Sequence, residues 1–312
     1  MIEPPPTGPP PTGPPAPPFD EPRARALLAL ACAAAGLPDP AGARLLALGE
    51  NAVFDLGRPA LVAKVGRARE LAPRAAREPA LALWLAANGV PVVRPHLPEP
   101  VTAQGHPVTF WHRLDPALRP ARAADLAPLL RTLHRTPPRP APPAPLPRRE
   151  LLAPVGRWLR AAEGYLDPAD ADYLLRRGAD RAAALAELVP QLTPGVIHGD
   201  ALPRNVHVGA DGPVLLDLET VADDLREHDL VVLALARDRY GLPAEEYLAF
   251  TRAYGWDVRE WAGCAVLRGA REIASAAWVA QHVPGSAAAA AEFRRRVASL
   301  RDGDRKVRWH AF

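Results

Sequence analysis

The sequence predicts an α+β protein of two lobes, with a small antiparallel-sheet N-lobe and a mainly helical C-lobe. Short apolar runs of strand length lie between residues 45 and 111, whereas alanine- and leucine-rich stretches of helical length fill much of the chain after residue 123. A further strand pair is indicated inside the helical part, because an Asp-Gly pair at 211–212 separates two apolar runs.

Length and composition limit the class of protein. The 312 residues suffice for one large domain or two lobes, and 48% hydrophobic with 23% charged residues is typical of globular proteins. The net charge of +3 is too small to indicate a nucleic-acid partner without a focused basic stripe. No secretory leader or apolar run of membrane-spanning length is apparent, and two cysteines make no disulfide framework. We therefore predict a cytoplasmic protein without a membrane or nucleic-acid partner.

The sequence predicts a tail and two lobes. Ten prolines within residues 1–18 indicate a disordered tail. We place the nucleotide-binding N-lobe at 19–112 and the helical C-lobe, with the catalytic loop and acceptor site, at 113–312. The N-lobe is expected to begin with a helix over 21–35, because an alanine- and leucine-rich stretch ends there at glycine and proline.

Strands follow between residues 45 and 65, with a turn at Gly57 and a returning strand that contains Lys64. The chain has only two lysines, and Lys64 stands between apolar neighbours. A lysine on the solvent face of an edge strand is one interpretation. We favour the other, in which its ammonium group binds nucleotide phosphates, because burying an unpaired ammonium costs several kcal/mol.

The next helix is predicted over residues 73–87 and contains Glu78, which can pair with Lys64; Glu70 is the alternative partner. Further strands are expected at 89–93 and 107–111, and residues 110–114 should link the lobes. A helix at 123–135 should bury His134, and seven prolines make 137–147 a connector. The remaining helices are predicted at 149–165, 168–189, 229–236, 244–254, 261–282 and 286–300.

The stretch that predicts chemistry begins at His198-Gly199-Asp200, continues to Asn205 and ends at Asp217 on the second strand of the hairpin. This is the order of the catalytic and metal-binding loops of kinases. In that chemistry Asp200 takes the proton of the attacking hydroxyl group, while Asn205 and Asp217 hold Mg²⁺. The alternative is that Asp200 and Asn205 only cap turns.

These residues, together with Asp217-x-Glu219 and Gly49-x-Asn51-x-x-Phe54, resemble the aminoglycoside phosphotransferase family over residues 41–282. That family consists of small-molecule kinases with a protein-kinase-like fold. The resemblance implies ATP and Mg²⁺ as cofactors and a helix start at 227–230 after the metal loop. It also implies Asp200, Lys64 and Glu78 as catalytic residues, Asn205 and Asp217 as metal ligands, and a set of nucleotide-binding residues: Gly49, Asn51, Lys64, Phe110, Trp111 and His112.

The chain departs from the family pattern at several points. The nucleotide loop has only Gly49 and Gly57, Ala201-Leu202 follows the catalytic aspartate, and Asp-Leu-Glu stands where protein kinases have Asp-Phe-Gly. The unusual linker Trp111-His112 leaves GTP as the alternative nucleotide.

The resulting hypothesis is a phosphotransferase that moves the γ-phosphoryl group of ATP to a hydroxyl group of a small molecule. A protein kinase is disfavoured, because the interval from Asp217 to Asp229 has no Ala-Pro-Glu and no room for an activation segment. The alternative from another class is an inactive, nucleotide-binding pseudokinase or interaction protein.

The acceptor is the least specified part of the prediction. Between residues 219 and 262 ten acids stand against five arginines, which gives a charge of −5 (5 − 10). Because a cleft of one sign concentrates ligands of the other, an aminoglycoside or another amine-bearing alcohol is the expected acceptor. The alternative is that these acids lie on solvated helix faces. The ten acids are Glu219, Asp223, Asp224, Glu227, Asp229, Asp238, Glu245, Glu246, Asp257 and Glu260.

Overall fold

The structure, a computed structural model, describes residues 19–49, 51–136 and 141–310. The chain divides into two compact units, one formed by residues 1–75 and 99–113 and the other by 76–98 and 114–312. The predicted tail at 1–18 and part of the predicted connector, 137–140, lie outside the described residues. The lobe boundaries at 19–112 and 113–312 stay predictions.

The first unit contains one helix and an antiparallel sheet. Its described elements are α1 (Glu21–Ala34), β1 (Arg44–Leu48), β2 (Asn51–Asp55), β3 (Leu61–Gly66), β4 (Val101–Ala103) and β5 (His106–His112). The sheet order among them is β1-β2-β3-β5-β4. Asp20 caps α1 by accepting the N–H of Arg23, and alternate residues of β2 and β3 are buried, as expected for strands with one face in the core.

Helix α2 (Ala72–Ala87) crosses the boundary between the two units and contains Pro79. In the second unit the helices are α3 (Ala123–His134), α4 (Val155–Arg160), α5 (Pro168–Ala186), α6 (Glu227–Arg239), α7 (Ala244–Tyr254), α8 (Cys264–Ala280) and α9 (Ala287–Arg301). Two short strand pairs accompany them: β6 (Gly195–Ile197) with β9 (Ala222–Asp224), and β7 (Val206–Gly209) with β8 (Gly212–Leu215). The α+β class with an antiparallel sheet and a mainly helical part is therefore confirmed.

Three predicted elements were wrong in extent. The helix expected over 149–165 is reduced to α4, because Pro154 has no N–H to continue a helix and stands directly before the first helical residue. The strand expected at 89–93 is only an isolated bridge between Val92 and Leu215, since Pro91 cannot donate to a ladder. The second hairpin strand ends at Leu215, so Asp217 lies beyond it.

The C-terminal segment packs back onto α6 and α9 through Trp309. The indole is buried, its Nε1 donates to Ser299 Oγ at 3.0 Å, and the guanidinium carbons of Arg239 and Arg296 lie 4.7 Å and 5.0 Å from the ring. Both arginines are buried and bind acidic partners on their own or a neighbouring helix. The ring therefore covers two buried cations that would otherwise contact water.

We expect Trp309→Ala to lower the free energy of unfolding by about 3–5 kcal/mol, because it removes a buried aromatic side chain and leaves a cavity, together with two cation–π contacts. Urea unfolding of the whole chain measures this change. Trp309→Phe, which keeps an aromatic ring, should cost less than half as much. A loss below about 1 kcal/mol for the alanine variant would contradict a packed C-terminal segment.

Candidate active site

In the first unit, Lys64 lies on the central strand β3, between β2 and β5, and its side chain is half-buried. Its Nζ stands 5.5 Å from the ring centroid of Trp111. Across the sheet, Lys64 pairs in register with Val53 and Thr109. The interpretation of Lys64 as a lysine of an exposed edge strand is therefore wrong.

The other predicted nucleotide residues of this unit divide into exposed and buried groups. Gly49 follows β1 and its N–H donates to the carbonyl oxygen of Asn51 at 3.0 Å, so the two residues form one tight turn. Phe110 and Trp111 are buried in the core of the unit, and His112 is exposed at the end of β5. Any nucleotide contact of Phe110 would therefore use its backbone, and these assignments stay predictions.

In the second unit, strand β6 ends directly before His198-Gly199-Asp200. Gly199 has φ +84°, and a Cβ atom built on it would stand 2.4 Å from the carbonyl oxygen of Thr220. Only glycine tolerates both conditions without strain. The hydroxyl group of Thr220 in turn donates to the carbonyl oxygen of His198 at 2.8 Å, so the loop is pressed closely against the segment after Asp217.

The two carboxylate oxygens of Asp200 have different surroundings. Oδ2 accepts Nη2 of Arg204 at 2.8 Å and Nδ2 of Asn205 at 3.2 Å. No donor in the described part of the chain reaches Oδ1. Since the side chain is 29% exposed, one oxygen is fixed by the protein and the other is available to a ligand.

The amide of Asn205 is oriented by the same contacts. Its Nδ2 donates to the backbone carbonyl oxygen of Asp200 at 2.8 Å as well as to Oδ2 of Asp200, while the backbone carbonyl oxygen of Asn205 accepts the N–H of Leu216 at 2.9 Å. Within the described ranges, nothing donates to Oδ1 of Asn205. A buried side chain therefore presents a hard oxygen atom, the kind of ligand that Mg²⁺ prefers.

Asp217 lies two residues beyond β8, in a left-handed conformation with φ 55° and ψ 68°. Left-handed backbone is strained for a residue other than glycine, and such strain is concentrated at functional sites. Its carboxylate is exposed and shares a cluster with Glu78 and Glu219, in which one oxygen of each residue lies within 4.8 Å of the others. The sequence singled out Glu78 and Glu219 without predicting that they adjoin Asp217, the predicted metal ligand.

The spacing of this cluster suits a divalent cation. Ligands on opposite sides of octahedral Mg²⁺ are about 4.2 Å apart, since each bond is about 2.1 Å long. Small rotations of the side chains would therefore bring two of the three carboxylates onto one ion. Close carboxylates also repel one another, and a cation between them would remove that repulsion.

Asp229, at the start of α6, holds the backbone of the His198-Gly199-Asp200 loop. Its buried carboxylate accepts the N–H groups of His198 and Gly199, each at 2.7 Å, and Nε2 of His134 at 3.0 Å. Burial alone would raise the pKa of Asp229, but the bonds from His134 and His198 hold it below its usual value. His134 is buried and bonded to Tyr254 as well, as the sequence predicts.

His228, the neighbour of Asp229, is buried in a charged environment. Burial, followed by the positive charge of Arg271, lowers the pKa of His228 to about 3. Asp224 and Asp229 act in the opposite direction, and Arg149 adds to the lowering. The imidazole is therefore neutral in the folded protein at neutral pH.

We expect the folded protein to lose stability as the pH falls below about 6.5, because the unfolded chain binds a proton at His228 and the folded chain does not. The loss is at most about 1.4 kcal/mol per pH unit. Urea unfolding between about pH 6.5 and pH 5.5, where most carboxylates are still ionised, measures it. His228→Gln should flatten this dependence, and an unchanged slope in the variant would contradict a buried neutral imidazole.

The chain was compared with known protein families, curated proteins and solved structures. A family model described as the phosphotransferase enzyme family matches residues 42–267. No curated protein sequence matches the chain. In the described part of the chain, no helix combines the length and apolar character needed to cross a membrane.

Several solved structures resemble the chain. The amicoumacin kinase hAmiN in complex with AMP-PNP, Ca²⁺ and Ami has a TM-score of 0.65 at 16% identity, covering 87% of this chain and 91% of that one. A choline/ethanolamine kinase family protein from Mesorhizobium loti has a TM-score of 0.59 at 21% identity, covering 90% and 98%. An aminoglycoside phosphotransferase from Streptomyces rimosus, in complex with ADP and streptomycin, has a TM-score of 0.56 at 20% identity, covering 79% and 97%. At these identities the likeness shows a shared fold, and it confirms the predicted kinase-like fold class.

Proposed function

This chain belongs to the phosphotransferase enzyme family, and from that premise we propose that it transfers the γ-phosphoryl group of ATP to a hydroxyl group of a small molecule. The family match confirms the resemblance that the sequence predicts. The observation that carries the proposal is the carboxylate of Asp200. Its Oδ2 is fixed by Arg204 and Asn205, while Oδ1 is open to a ligand.

Asp200 would act as the general base. Its Oδ1 accepts the proton of the acceptor hydroxyl group while the acceptor oxygen forms a bond to the γ-phosphorus and the bond to the β-phosphate oxygen breaks. ADP leaves, and the proton remains on Asp200 until solvent takes it. The hydrogen bonds on Oδ2 keep Oδ1 turned toward the acceptor, which is the positioning that phosphoryl transfer needs.

Asn205 and Asp217 are the proposed ligands of Mg²⁺, with Glu219 and Glu78 as neighbouring carboxylates. When bound, this ion neutralises charge on the phosphates of the nucleotide. The residues fit the ion because they offer an amide oxygen and at least one carboxylate, and Mg²⁺ usually takes one or two carboxylates beside phosphates. Lys64 is the proposed phosphate lysine, and its pairing with Glu78 stays a prediction.

The segment after Asp217 supports a small acceptor rather than a polypeptide. It consists of a short 3₁₀ helix at 218–220, then β9, then the first turn of α6 at Glu227. Strand β9 pairs with β6, so this interval is occupied by regular structure. It offers no long segment on which a peptide substrate would lie. The ligands named for the similar solved structures, among them streptomycin, are small molecules.

At least five of the ten acids counted in the sequence have partners within the fold, which reduces their support for an amine-bearing acceptor. Asp224, Glu227 and Asp229 accept backbone N–H groups, and Asp238 and Asp257 pair with Arg268 and Arg259. A carboxylate that is neutralised within the fold attracts a cationic ligand weakly. The hypothesis of an amine-bearing alcohol as acceptor therefore rests mainly on the family to which the chain belongs.

We expect phosphoryl transfer from ATP to at least one alcohol in a panel of cationic, neutral and anionic acceptors, measured at low and high salt with ATP and with GTP. A preference for cationic acceptors that weakens at high salt would support an amine-bearing substrate. A salt-insensitive preference for neutral or anionic acceptors would reject that class and keep the kinase. Binding of nucleotide without transfer to any acceptor would favour a pseudokinase.

A further inference from the structure

Two guanidinium groups converge on the carbonyl oxygen of Gly199, the residue before Asp200. Nη2 of Arg271, on α8, donates to this oxygen at 3.0 Å. Nε of Arg149, in the segment before α4, donates to it at 3.3 Å. One backbone acceptor is therefore held by two cations from different parts of the second unit.

Arg271 also joins the catalytic loop to α6. The same Nη2 atom donates to the carbonyl oxygen of His228 at 2.9 Å. The next residue, Asp229, receives the N–H groups of His198 and Gly199. The Gly199 residue is thus held by its N–H through α6 and by its carbonyl oxygen through α8.

The N–H side of the Gly199–Asp200 peptide is held as well as its carbonyl oxygen. The N–H of Asp200 points to Nδ1 of His198 at 3.4 Å, and Nε2 of that imidazole bonds the carbonyl oxygen of Leu216 at 2.9 Å. The plane of this peptide, together with the φ angle of Asp200, sets the direction of the Cα–Cβ bond of Asp200. Holding both edges of the peptide therefore restricts the direction in which the carboxylate leaves the backbone.

The position of Arg271 is costly for stability. The side chain is 8% exposed, its hydrogen bonds in the described ranges go to neutral carbonyl oxygens, and its buried Nε has no hydrogen-bond partner there. Burial, with the nearby charge of Arg149, lowers the pKa of Arg271 to about 10, while Asp200 and Asp229 oppose that change. A buried charge without a bonded carboxylate is unfavourable for folding alone.

We propose that Arg271, assisted by Arg149, is a positioning residue for Asp200: the two guanidinium groups hold the Gly199–Asp200 peptide so that Oδ1 faces the acceptor. This role rests on the proposed function. Neither arginine is assigned to the reacting atoms. Misplacing a catalytic group by about 1 Å can cost about 100-fold in rate, which sets the scale of the expected effect.

The test compares Arg271→Lys with Arg239→Lys. Lysine keeps the charge but is shorter and lacks the planar fork of arginine. Arg239, at the other end of α6, is the control, because it is also buried and its Nη1 also bridges two carbonyl oxygens, those of Asp304 and Val307. Each variant is assayed in the full chain for kcat, KM, melting temperature and amide hydrogen exchange of residues 195–206.

We expect Arg271→Lys to lower kcat by about 10–100-fold with little change in KM, and to speed hydrogen exchange in the catalytic loop. Arg239→Lys should lower the melting temperature and leave kcat and the hydrogen exchange of the loop unchanged. If Arg271→Lys does not fold, Arg149→Met, at a half-buried position, should lower kcat in the same direction.

An unchanged kcat and unchanged exchange of the loop in folded Arg271→Lys would overturn the proposal, as would equal effects in Arg239→Lys. If the wild-type protein transfers no phosphoryl group, the proposed function fails. Hydrogen exchange still decides in that case whether Arg271 holds the loop.

Discussion

Replacing Asp200 by asparagine is expected to lower kcat by about 10²–10⁴-fold, the usual contribution of a general base. The amide oxygen can still accept Arg204 and Asn205, so the loop should keep its geometry. What the variant loses is the carboxylate that takes the proton. Steady-state kinetics with the best acceptor of the panel measures the change, and the affinity for nucleotide should stay close to that of the wild type.

The matched control is Asp223→Asn, which changes an exposed carboxylate on the neighbouring strand β9. Its kcat should equal the wild-type value. Turnover of Asp200→Asn within a few-fold of the wild type, in a protein that melts normally, would show that Asp200 only caps a turn.

The second large effect is expected for Asp217→Ala. The exposed carboxylate of Asp217 is the proposed metal ligand, and it lies beside Glu78 and Glu219. Removing it should abolish the dependence of nucleotide binding on Mg²⁺ and lower kcat by about 10²–10³-fold, the scale of losing one electrostatic contact to the transition state. Calorimetric titration of ATP with and without Mg²⁺ measures the first effect.

Asp211→Ala, in the turn of the same hairpin, provides the control, because its exposed carboxylate lies at the opposite end of β7 and β8. It should bind Mg²⁺ and ATP as the wild type does. An Asp217→Ala protein that still binds ATP more tightly with Mg²⁺ would leave Glu78 and Glu219 as the metal ligands.

The geometry of the proposed catalytic loop could be predicted because its contacts are local in sequence. Asp200 and Asn205 are five residues apart, and the Asp-Gly turn at 211–212 returns the chain so that Leu216 bonds the backbone of Asn205. A short-range turn signal is enough to bring Asp217 to the same end of the hairpin. The left-handed backbone of Asp217 was not predictable, since aspartate occurs in strands and turns alike.

The supporting groups could not be predicted for a different reason. From the sequence alone, a single arginine in an alanine-rich helix, such as Arg271, is expected to be exposed to solvent. Only the packing of α8 shows that it is buried. Asp229 was identified only as part of a helix start, although it binds the N–H groups of Gly199 and His198, which lie 30 and 31 residues earlier in the chain. Contacts between residues far apart in sequence depend on tertiary structure, which local patterns do not specify.

The acid count is a weak guide to the acceptor for the same reason. Charges summed along a segment do not distinguish a carboxylate that lines a cleft from one that accepts backbone N–H groups, as Glu227 does for Gln191 and Leu192. Electrostatic arguments about a ligand need the partners of each charge. The acceptor therefore has to be found by experiment.

An unbiased screen for phosphorylated products tests most directly whether the chain transfers a phosphoryl group to a small alcohol and whether that transfer needs Asp200. Wild-type protein and Asp200→Asn are each incubated with ATP, Mg²⁺ and a mixture of small alcohols, and mass spectrometry detects molecules that gain one phosphoryl group. We expect products with the wild type and with Asp223→Asn, and at most trace amounts with Asp200→Asn. The same products in equal amounts from Asp200→Asn, or none from a wild-type protein that binds ATP, would contradict it.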